Sequence, residues 1–305
     1  MREVEEDHYP VTVNMSKASQ NQFEILAHRG IHQDFSGKSM ENYVCTARRI
    51  FKPEHAYIEN TVASIDQAFE LGATIVEIDV NRTREGELVL FHDAGLECRT
   101  DGAGRTWDHP LEYLQSLDVG YGYTPDNGKT YPLRGKGVGQ MPLLKEVLER
   151  YPDKRFIIDH KDETAETAEL IGSLLGSLHG DQQANLYYWG PPETLKIIQG
   201  SIPGFYRLIP EPMLMRRWMY RYILTLGLAG FPGEIERKVL VLPIKYIKII
   251  PGWPGRLVKK IKKAGGRLLV YVDTEEEARK IKGLPIDGIV TDHLDRVFEL
   301  FTKLC

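Results

Sequence analysis

Residues 75–80 read Ile-Val-Glu-Ile-Asp-Val, an apolar run interrupted twice by carboxylates at alternate positions. Side chains alternate between the two faces of a strand, so Glu77 and Asp79 point to the same side. The remaining apolar positions are typical of a strand buried on both faces of a parallel sheet. Two carboxylates on an inward face repel each other, and a hard divalent cation with oxygen ligands would offset that repulsion. A solvated strand end that carries two acids is the alternative interpretation.

Short runs typical of β-strands recur along the chain and alternate with amphipathic stretches. The runs are Ile25–Ala27, Ile75–Val80, Phe156–Asp159, Asn185–Trp189, Tyr206–Ile209, Val239–Leu242, Leu268–Val272 and Ile286–Thr291. The helical stretches are Thr61–Leu71, Leu143–Tyr151, Ala165–Leu178, Pro192–Gln199, Pro254–Ala264 and Thr274–Ile281. This alternation predicts an α/β fold, and eight strands favour a TIM (β/α)8 barrel.

A ninth apolar run, Leu88–Phe91, does not fit the βα count. Only the segment Asn81–Gly86 separates it from the strand before, whereas a parallel crossover needs about ten residues or more. We therefore expect a β-hairpin over Glu77–Asp93 that rises from the end of the second barrel strand. Its return would bring His92 beside Asp79.

Two segments have the character of insertions after barrel strands, at residues 31–58 and 211–238. Loops that follow barrel strands lie on the catalytic face, so both insertions should border the active site. No repeat or linker marks a domain boundary. We expect an N-terminal extension over residues 1–22 and one barrel domain over residues 23–305.

Composition excludes several classes of protein. Of the 305 residues, 42% are hydrophobic and 27% charged, as in an ordinary globular protein. A formal net charge of -4 argues against general nucleic-acid binding, which needs a basic surface. Residues 1–22 contain acids and lack the apolar core of a signal peptide, so we expect a cytoplasmic chain or one exported after trimming. No stretch reaches the apolar length of a membrane span.

The cysteines, Cys45, Cys98 and Cys305, show no CxxC spacing. Cys45 belongs to the loop after the first strand and Cys98 follows the hairpin from the second, so both lie on one rim. A Cys45–Cys98 disulfide is therefore within reach and would indicate an oxidising compartment. Three free thiols are the alternative.

Further polar residues stand at strand ends. Asp159 ends the third predicted strand and would join the two acids of the second, while Lys161 shares its parity and could contact a phosphate oxygen. A solubilising lysine on the rim is the alternative. His28 ends the first strand and His92 the hairpin. Two histidines around a metal-bound phosphate suit in-line phosphoryl transfer, one taking a proton from the nucleophile and the other giving one to the leaving oxygen.

Motifs in a fixed order resemble the glycerophosphodiester phosphodiesterase family. They are HRG at 28–30, ENT at 59–61, EID at 77–79, FHD at 91–93, RTDGAGR at 99–105 and DGIVTD at 287–292. The resemblance implies a TIM barrel, one Mg²⁺ or Ca²⁺ ion, and hydrolysis of glycerophosphodiesters to glycerol 3-phosphate and an alcohol. The nucleophile, water or the glycerol 2-hydroxyl, stays open.

The resemblance also implies a role for each matching residue. The acid/base pair is His28 and His92, the metal ligands are Glu77, Asp79 and Asp159, the phosphate contacts are Arg29 and Lys161, and Glu59 supports the site. Two positions depart from the family. Asp159 stands where the family usually has Glu, one methylene longer, and the late WTVN motif is replaced by Val-Tyr-Val-Asp-Thr at 270–274, where Tyr271 could substitute for the tryptophan.

The second insertion carries apolar residues at helical spacing, with arginines beside them and no acid across residues 213–233. The apolar positions are Met215, Trp218, Met219, Tyr222, Ile223 and Leu226, and the arginines are Arg216, Arg217 and Arg221. A barrel needs amphipathic helices packed on its core, and this pattern fits such a helix. The alternative is an interfacial helix with peripheral membrane contact over residues 213–231, because an apolar face flanked by cations suits anionic lipid.

Other functions remain open. If the second insertion meets lipid, the enzyme would be a lysophospholipase D acting on lysophospholipids. A barrel that has lost catalysis and only binds is a third class, opposed by the two histidines and three acids. The glycine-rich loop at 133–139 could cradle an anion, or be an ordinary surface loop.

Overall fold

The computed structural model describes residues 23–36, 45–236 and 238–302. Its sheet consists of β1 (Glu24–His28), β2 (Ile75–Arg82), β3 (Leu88–Leu90), β4 (Arg155–His160), β5 (Leu186–Trp189), β6 (Val239–Pro243), β7 (Arg267–Tyr271) and β8 (Gly288–Thr291). Apart from β3, the strands are parallel and lie in the order β5-β4-β2-β1-β8-β7-β6. The predicted N-terminal extension and part of the first insertion, residues 37–44, lie outside the described residues.

Residues 206–209 lie between the two edges of this curled sheet. The Tyr188 N–H on β5 donates to the Tyr206 carbonyl at 3.1 Å, and the Val239 N–H on β6 donates to the Leu208 carbonyl at 2.9 Å. The segment therefore contacts both edge strands. The fold is a (β/α) barrel of the TIM type, which confirms the predicted class.

The prediction of a fifth regular strand over Tyr206–Ile209 is wrong. It forms a single parallel bridge, between Tyr188 and Arg207, and no continuous ladder. Pro210 directly follows and has no N–H to donate to a neighbouring strand, which limits the length of the pairing.

The predicted hairpin is confirmed. β2 and β3 pair antiparallel, with Val80 opposite Leu90 and Arg82 opposite Leu88. The Phe91 N–H then donates to the Asp79 carbonyl at 3.0 Å. This bond brings the residues after β3 back to the carboxyl end of β2, beside Glu77 and Asp79.

The helices are α1 (Val62–Glu70), α2 (Leu111–Ser116), α3 (Leu144–Arg150), α4 (Ala165–Gly176), α5 (Gly180–Gln183), α6 (Pro192–Ser201), α7 (Pro212–Leu224), α8 (Gly255–Lys263), α9 (Glu275–Ile281) and α10 (Leu294–Thr302). Six of them, α1, α3, α4, α6, α8 and α9, occur where the amphipathic pattern predicts them. A core of buried apolar side chains fills the space between these helices and the sheet. None of the helices among the described residues is long and apolar enough to cross a membrane.

Most of the apolar residues considered for a lipid-facing side of the second insertion face the barrel instead, and among them only Leu226 is largely exposed. In α7, Trp218 and Tyr222 are buried and Met215 and Met219 pack against the same core. The indole N–H of Trp218 donates to the Gly230 carbonyl at 2.9 Å. A barrel helix must cover the sheet with its apolar side, and helical periodicity alone does not say what that side covers.

Strand parity divides the barrel interior into a closed floor and a polar mouth. The floor contains Leu26, Ile75, Ile157 and Val290, all buried in one apolar cluster. Two residues further along the first three strands are His28, Glu77 and Asp159, and two beyond Val290 is Asp292. Because these side chains share the inward face, the end of each strand carries its polar group into the mouth.

A disulfide joins Cys45 in the first insertion to Cys98 after the hairpin, with Cα atoms 5.5 Å apart. The bond ties together two segments separated by 53 residues on the catalytic face. It agrees with the pairing predicted from the shared rim.

Thiol counting tests this bond. We expect one free thiol, from Cys305, in unreduced denatured protein, rising to three after reduction. Because the cross-link restricts the unfolded chain, reduction or the change Cys98→Ser should lower the free energy of unfolding by about 2–4 kcal/mol. Three thiols before reduction would contradict the bond.

Candidate active site

The HRG motif turns the chain sharply at the end of β1. Arg29 and Gly30 both adopt left-handed backbone conformations, with φ of 57° and 75°. A side chain at Gly30 would place its Cβ 2.2 Å from Ser64 Oγ, so only glycine fits against α1. The turn leaves His28 and Arg29 at the mouth of the barrel.

Each residue of the ENT motif has a separate structural task. Asn60, at φ 58°, donates from Nδ2 to Asp79 Oδ2 at 2.6 Å and accepts the Asp79 N–H at 3.0 Å. Thr61 caps α1 by accepting the Ser64 N–H. Glu59 turns toward two arginines. The motif therefore both starts a helix and holds Asp79 of β2 in place.

Three carboxylates from two neighbouring strands meet at the mouth. Oxygen atoms of Glu77, Asp79 and Asp159 all lie within 4.8 Å of one another. β2 and β4 pair with Asp79 opposite Asp159, which places all three acids on the inward face. Burial, reinforced by the charges of Asp79 and Asp159, raises the pKa of Glu77 well above its usual value. The shorter side chain of Asp159 still reaches the cluster.

Lys161 and Arg29 lie against these acids. The Lys161 ammonium is 2.8 Å from Asp79 Oδ1 and 2.5 Å from Asp159 Oδ2, and Arg29 Nε is 3.3 Å from Asp79 Oδ2. Burial alone would lower the pKa of Lys161, but the charges of Asp79 and Asp159 raise it above its usual value. Burial would raise the pKa of Asp79, but Lys161 and Arg29 hold it well below its usual range. Asp79 is thus a buried carboxylate kept ionised by two cations.

The Arg29 side chain is directed to carboxylates and is only 4% exposed. Its guanidinium donates to Glu59 at 3.1 Å and contacts Asp79, and its backbone N–H donates to Glu77 Oε2 at 3.1 Å. Arg29 therefore links three acids below the open part of the mouth. A contact with substrate phosphate stays a prediction from the resemblance.

Glu59 lies behind Arg29 and accepts from a second arginine. The Arg99 guanidinium donates to Glu59 at 2.8 Å and to the Tyr123 hydroxyl at 2.7 Å. Burial would raise the pKa of Glu59, but Arg99 and Arg29 lower it to about 2. The result is an ionised network buried under the site.

Each predicted catalytic histidine has an aspartate partner on its Nδ1 atom. His28 Nδ1 lies 2.6 Å from Asp292 Oδ1, and His92 Nδ1 lies 2.6 Å from Asp93 Oδ1. A histidine that donates from Nδ1 to a carboxylate leaves Nε2 as the free proton acceptor. Nε2 of His28 lies 3.7 Å from Glu77 Oε2, at the edge of the acid cluster.

Buried surroundings keep His92 neutral. Burial, followed by the charge of Arg29, lowers the pKa of His92 to about 4. Asp93, its partner, also contacts Arg99 Nε at 2.9 Å through its other oxygen. His92, Asp93 and Arg99 therefore form a chain that fixes the ring from behind.

Several residues of this arrangement have no role assigned from the sequence. All four, Asp292, Asp93, Asn60 and Arg99, lie in quoted motifs. The contacts of Asp292, Asn60 and Arg99 reach distant segments, whereas Asp93 contacts nearby His92 and Arg99. His32, in the first insertion, is buried 3.9 Å from Asp292 and appears in no motif. The available signal for Asp292 was its position directly after β8, at the carboxyl end of a barrel strand.

A polar cleft of about 320 Å³ opens beside the acid cluster. Asp159 and Lys161 line it, together with Glu163, Trp189, Arg207 and Glu211. The Arg207 guanidinium lies over the Trp189 ring, 5.1 Å from its centre. Glu211 belongs to the second insertion, and His32 of the first lies near Asp292, so both insertions border the site as predicted.

The glycine-rich loop at 133–139 binds an anion of the protein itself. The N–H groups of Gly135 and Gly137 donate to the Asp118 carboxylate at 2.5 and 3.0 Å. The predicted cradle is therefore filled by Asp118, and its role is structural.

A barrel with clustered carboxylates and paired histidines at the carboxyl ends of its strands is typical of enzymes that act on phosphate esters. The model of the glycerophosphoryl diester phosphodiesterase family matches residues 28–296. The chain belongs to this family and is a phosphoric diester hydrolase.

Relatives cover most of the chain. It is 28% identical over 260 residues to a glycerophosphodiester phosphodiesterase of Caldanaerobacter subterraneus, covering 80% of this chain and 93% of that protein. Among solved structures, the glycerophosphoryl diester phosphodiesterase domain of a Mycobacterium tuberculosis protein has a TM-score of 0.66 at 16% identity, covering 92% and 99% of the two chains. An Oleispira antarctica phosphodiesterase bound to sn-glycerol-3-phosphate has a TM-score of 0.58 at 22% identity, covering 92% and 96%.

The lowered pKa of His92 generates a titration test. In metal-free protein its ring should titrate near pH 4 instead of 6.5, as followed by NMR and assigned with His92→Gln. The folded-state pKa lies below the unfolded one, so the stability linked to this group is present above pH 6.5 and lost as pH falls toward 4. The loss is at most about 3 kcal/mol. Titration near 6.5 would contradict a buried neutral ring.

Proposed function

We propose that the chain is a metal-dependent glycerophosphodiester phosphodiesterase that uses His28 and His92 as its acid/base pair. The observation that carries the proposal is the joining of three inward carboxylates to two histidine–aspartate pairs at one barrel mouth. Membership of the family supports the reaction, the release of an alcohol and glycerol 3-phosphate from a glycerophosphodiester.

The acid cluster fits a divalent cation with oxygen ligands. Glu77 Oε1 is buried and has no hydrogen-bond partner among the described residues, and burial together with the charges of Asp79 and Asp159 raises the pKa of Glu77. We propose Glu77, Asp79 and Asp159 as the ligands of one Mg²⁺ or Ca²⁺ ion. Such an ion would withdraw charge from the phosphate and so stabilise the transition state.

The protein's own groups then divide the remaining work. Asp292 and Asp93 hold the His28 and His92 rings so that each Nε2 can exchange a proton. Lys161, beside Asp79 and Asp159, is placed at the cleft and is our proposed contact to a phosphate oxygen. Arg29 orients the acids from behind, so we expect any phosphate contact from it to be secondary.

The cleft favours a small polar substrate over a lysophospholipid. Its lining of Glu163, Arg207, Glu211 and Trp189 offers charges of both signs, which suit a polar alcohol head group better than an acyl chain. The Oleispira relative, whose structure holds glycerol 3-phosphate, is consistent with this class of substrate. Contact with a membrane is a separate question, because it depends on the outer side of α7.

Replacing either histidine tests the acid/base assignment. His28→Ala and His92→Ala should each lower kcat on glycerophosphocholine by at least about 100-fold, the usual effect of a lost acid or base. The circular dichroism spectrum should stay that of the folded protein. His179→Ala changes an exposed histidine that is not part of the described site. It is the control and should retain full activity. If either site variant kept a tenth or more of the parent rate, the acid/base role proposed for that histidine would be wrong.

Removing the ion tests the ligands. Prolonged EDTA treatment should abolish turnover, and Mg²⁺ or Ca²⁺ should restore it. Calorimetric titration of the metal-free protein should show one site, weakened by at least tenfold in Asp159→Asn because a charged oxygen ligand is lost. Asp181→Asn, at a fully exposed acid, should titrate like the parent protein. Activity unchanged by the chelator would show that the acids serve another purpose.

A further inference from the structure

The outer side of α7 and the turn after it expose large apolar side chains. They are Met213, Tyr220, Leu224, Leu226 and Leu228, with exposed fractions between 57% and 78%. At about 100° per residue, Met213, Tyr220 and Leu224 form one stripe opposite the buried Trp218 and Tyr222. The helix therefore presents apolar groups on both sides, one toward the core and one toward the outside.

Arginines flank the exposed stripe. Arg216, Arg217 and Arg221 are all exposed, and none forms an ion pair with a carboxylate in the described ranges. α9 shows the ordinary pattern of a barrel helix, in which Arg279 and Lys280 pair with acids one turn earlier at 2.5 and 2.6 Å. The charges of α7 are thus left for an external partner.

No acid interrupts this part of the sequence between Glu211 and Glu234. For a chain with a formal net charge of -4, an uninterrupted positive segment is a local departure from the overall balance. It offers charge complementarity to an anionic surface. We call the eight exposed residues Met213, Arg216, Arg217, Tyr220, Arg221, Leu224, Leu226 and Leu228 the α7 outer surface.

The exposed side chains are held in place by the structure beneath them. Arg256 on α8 donates to the Leu226 carbonyl at 3.0 Å, and Lys260 donates to the Gly227 carbonyl at 3.0 Å and to the Ala229 carbonyl. Trp218 anchors the helix to the core from the other side. Because both ends of the turn are tied down, Leu226 and Leu228 stay exposed instead of folding back onto the barrel.

We propose that the α7 outer surface is a peripheral docking site for anionic lipid bilayers. Its apolar side chains would enter the boundary between head groups and acyl chains, and its arginines would pair with lipid phosphates and carboxylates. α7 starts next to Glu211, which lines the polar cleft, so a docked protein would hold its active site close to the lipid surface. The proposal does not depend on the metal or the histidines.

A second copy of the chain fits this surface less well. A two-fold contact through the same patch would bring the three arginines of each copy together without acids between them. Like charges at a desolvated contact repel strongly. Anionic lipid removes this problem because it supplies the opposite charge.

The charge part of the proposal is tested by vesicle cosedimentation of the whole chain. We expect binding to phosphatidylcholine vesicles that contain phosphatidylserine, release by salt, and little binding to phosphatidylcholine alone. The triple variant Arg216→Gln, Arg217→Gln, Arg221→Gln should lower the partition coefficient roughly 100-fold, since each charge near the surface contributes about 1 kcal/mol. The matched control, Lys145→Gln, Arg279→Gln, Lys280→Gln, removes three charges from other helices and should bind nearly as the parent does.

The contribution of the apolar side chains is tested with the triple variant Leu224→Ser, Leu226→Ser, Leu228→Ser. The control is the double variant Phe51→Ser, Val138→Ser, which changes exposed apolar residues elsewhere on the surface. Only the α7 variant should lose vesicle binding, by at least tenfold. All variants should hydrolyse soluble glycerophosphocholine at parent rates, so a failure of docking is separable from a failure of catalysis.

Three results would overturn the docking site. One is an arginine variant that binds vesicles as tightly as the parent chain. Another is a charge control that loses as much vesicle binding as the arginine variant does. The third, by light scattering, is a dimer in the parent chain that dissociates in the leucine variant, which would assign the surface to a second copy.

Discussion

The active-site end of this barrel depends on one buried charge, the carboxylate of Asp79. An ionised group without solvent is costly unless cations and hydrogen bonds compensate it. Here Lys161 and Arg29 supply the charges, and Asn60 donates one hydrogen bond to the carboxylate while it accepts another from the Asp79 backbone N–H. These contacts explain why separate motifs surround a single residue. The turn at Gly30 places Arg29, and the left-handed backbone at Asn60 places its amide. Disturbing any of them would leave the charge at Asp79 incompletely balanced.

Further charged groups surround Asp79 on two sides. Toward the cleft, the burial of Glu77 beside two other acids favours the proposed cation, and the aspartate partners of His28 and His92 fix the rings that would exchange protons. Away from the cleft, Arg99 is held by acids from two motifs and ties the hairpin to the rest of the site. Rigid support from buried ion pairs is what a site needs to keep its groups in reacting geometry.

α7 shows how one helix can satisfy two demands. Trp218 on its inner side completes the barrel core, which any barrel helix must do. Its outer side exposes the apolar side chains of Tyr220 and Leu224, whereas the exposed side of α9 carries paired charges. Exposed apolar groups of this size cost solubility and are unusual in contiguous patches on a monomer. A surface function is the physical reason for keeping them.

The sequence by itself determined the βα alternation, the hairpin and the inward parity of Glu77, Asp79 and Asp159, because alternation along a strand is a local property. The same strand ends placed His28 and His92 at the mouth, and the family resemblance added their match to an acid/base pair. The fold was predictable almost throughout. Tertiary structure alone decided that residues 206–209 pair at one bridge and that Trp218 faces the core. It also decided which side chains compensate each charge, as with Asp292 on His28, 264 residues away. Such partners depend on how distant segments of the chain meet when the barrel closes. The spacing of residues along the sequence does not predict which of them will come into contact.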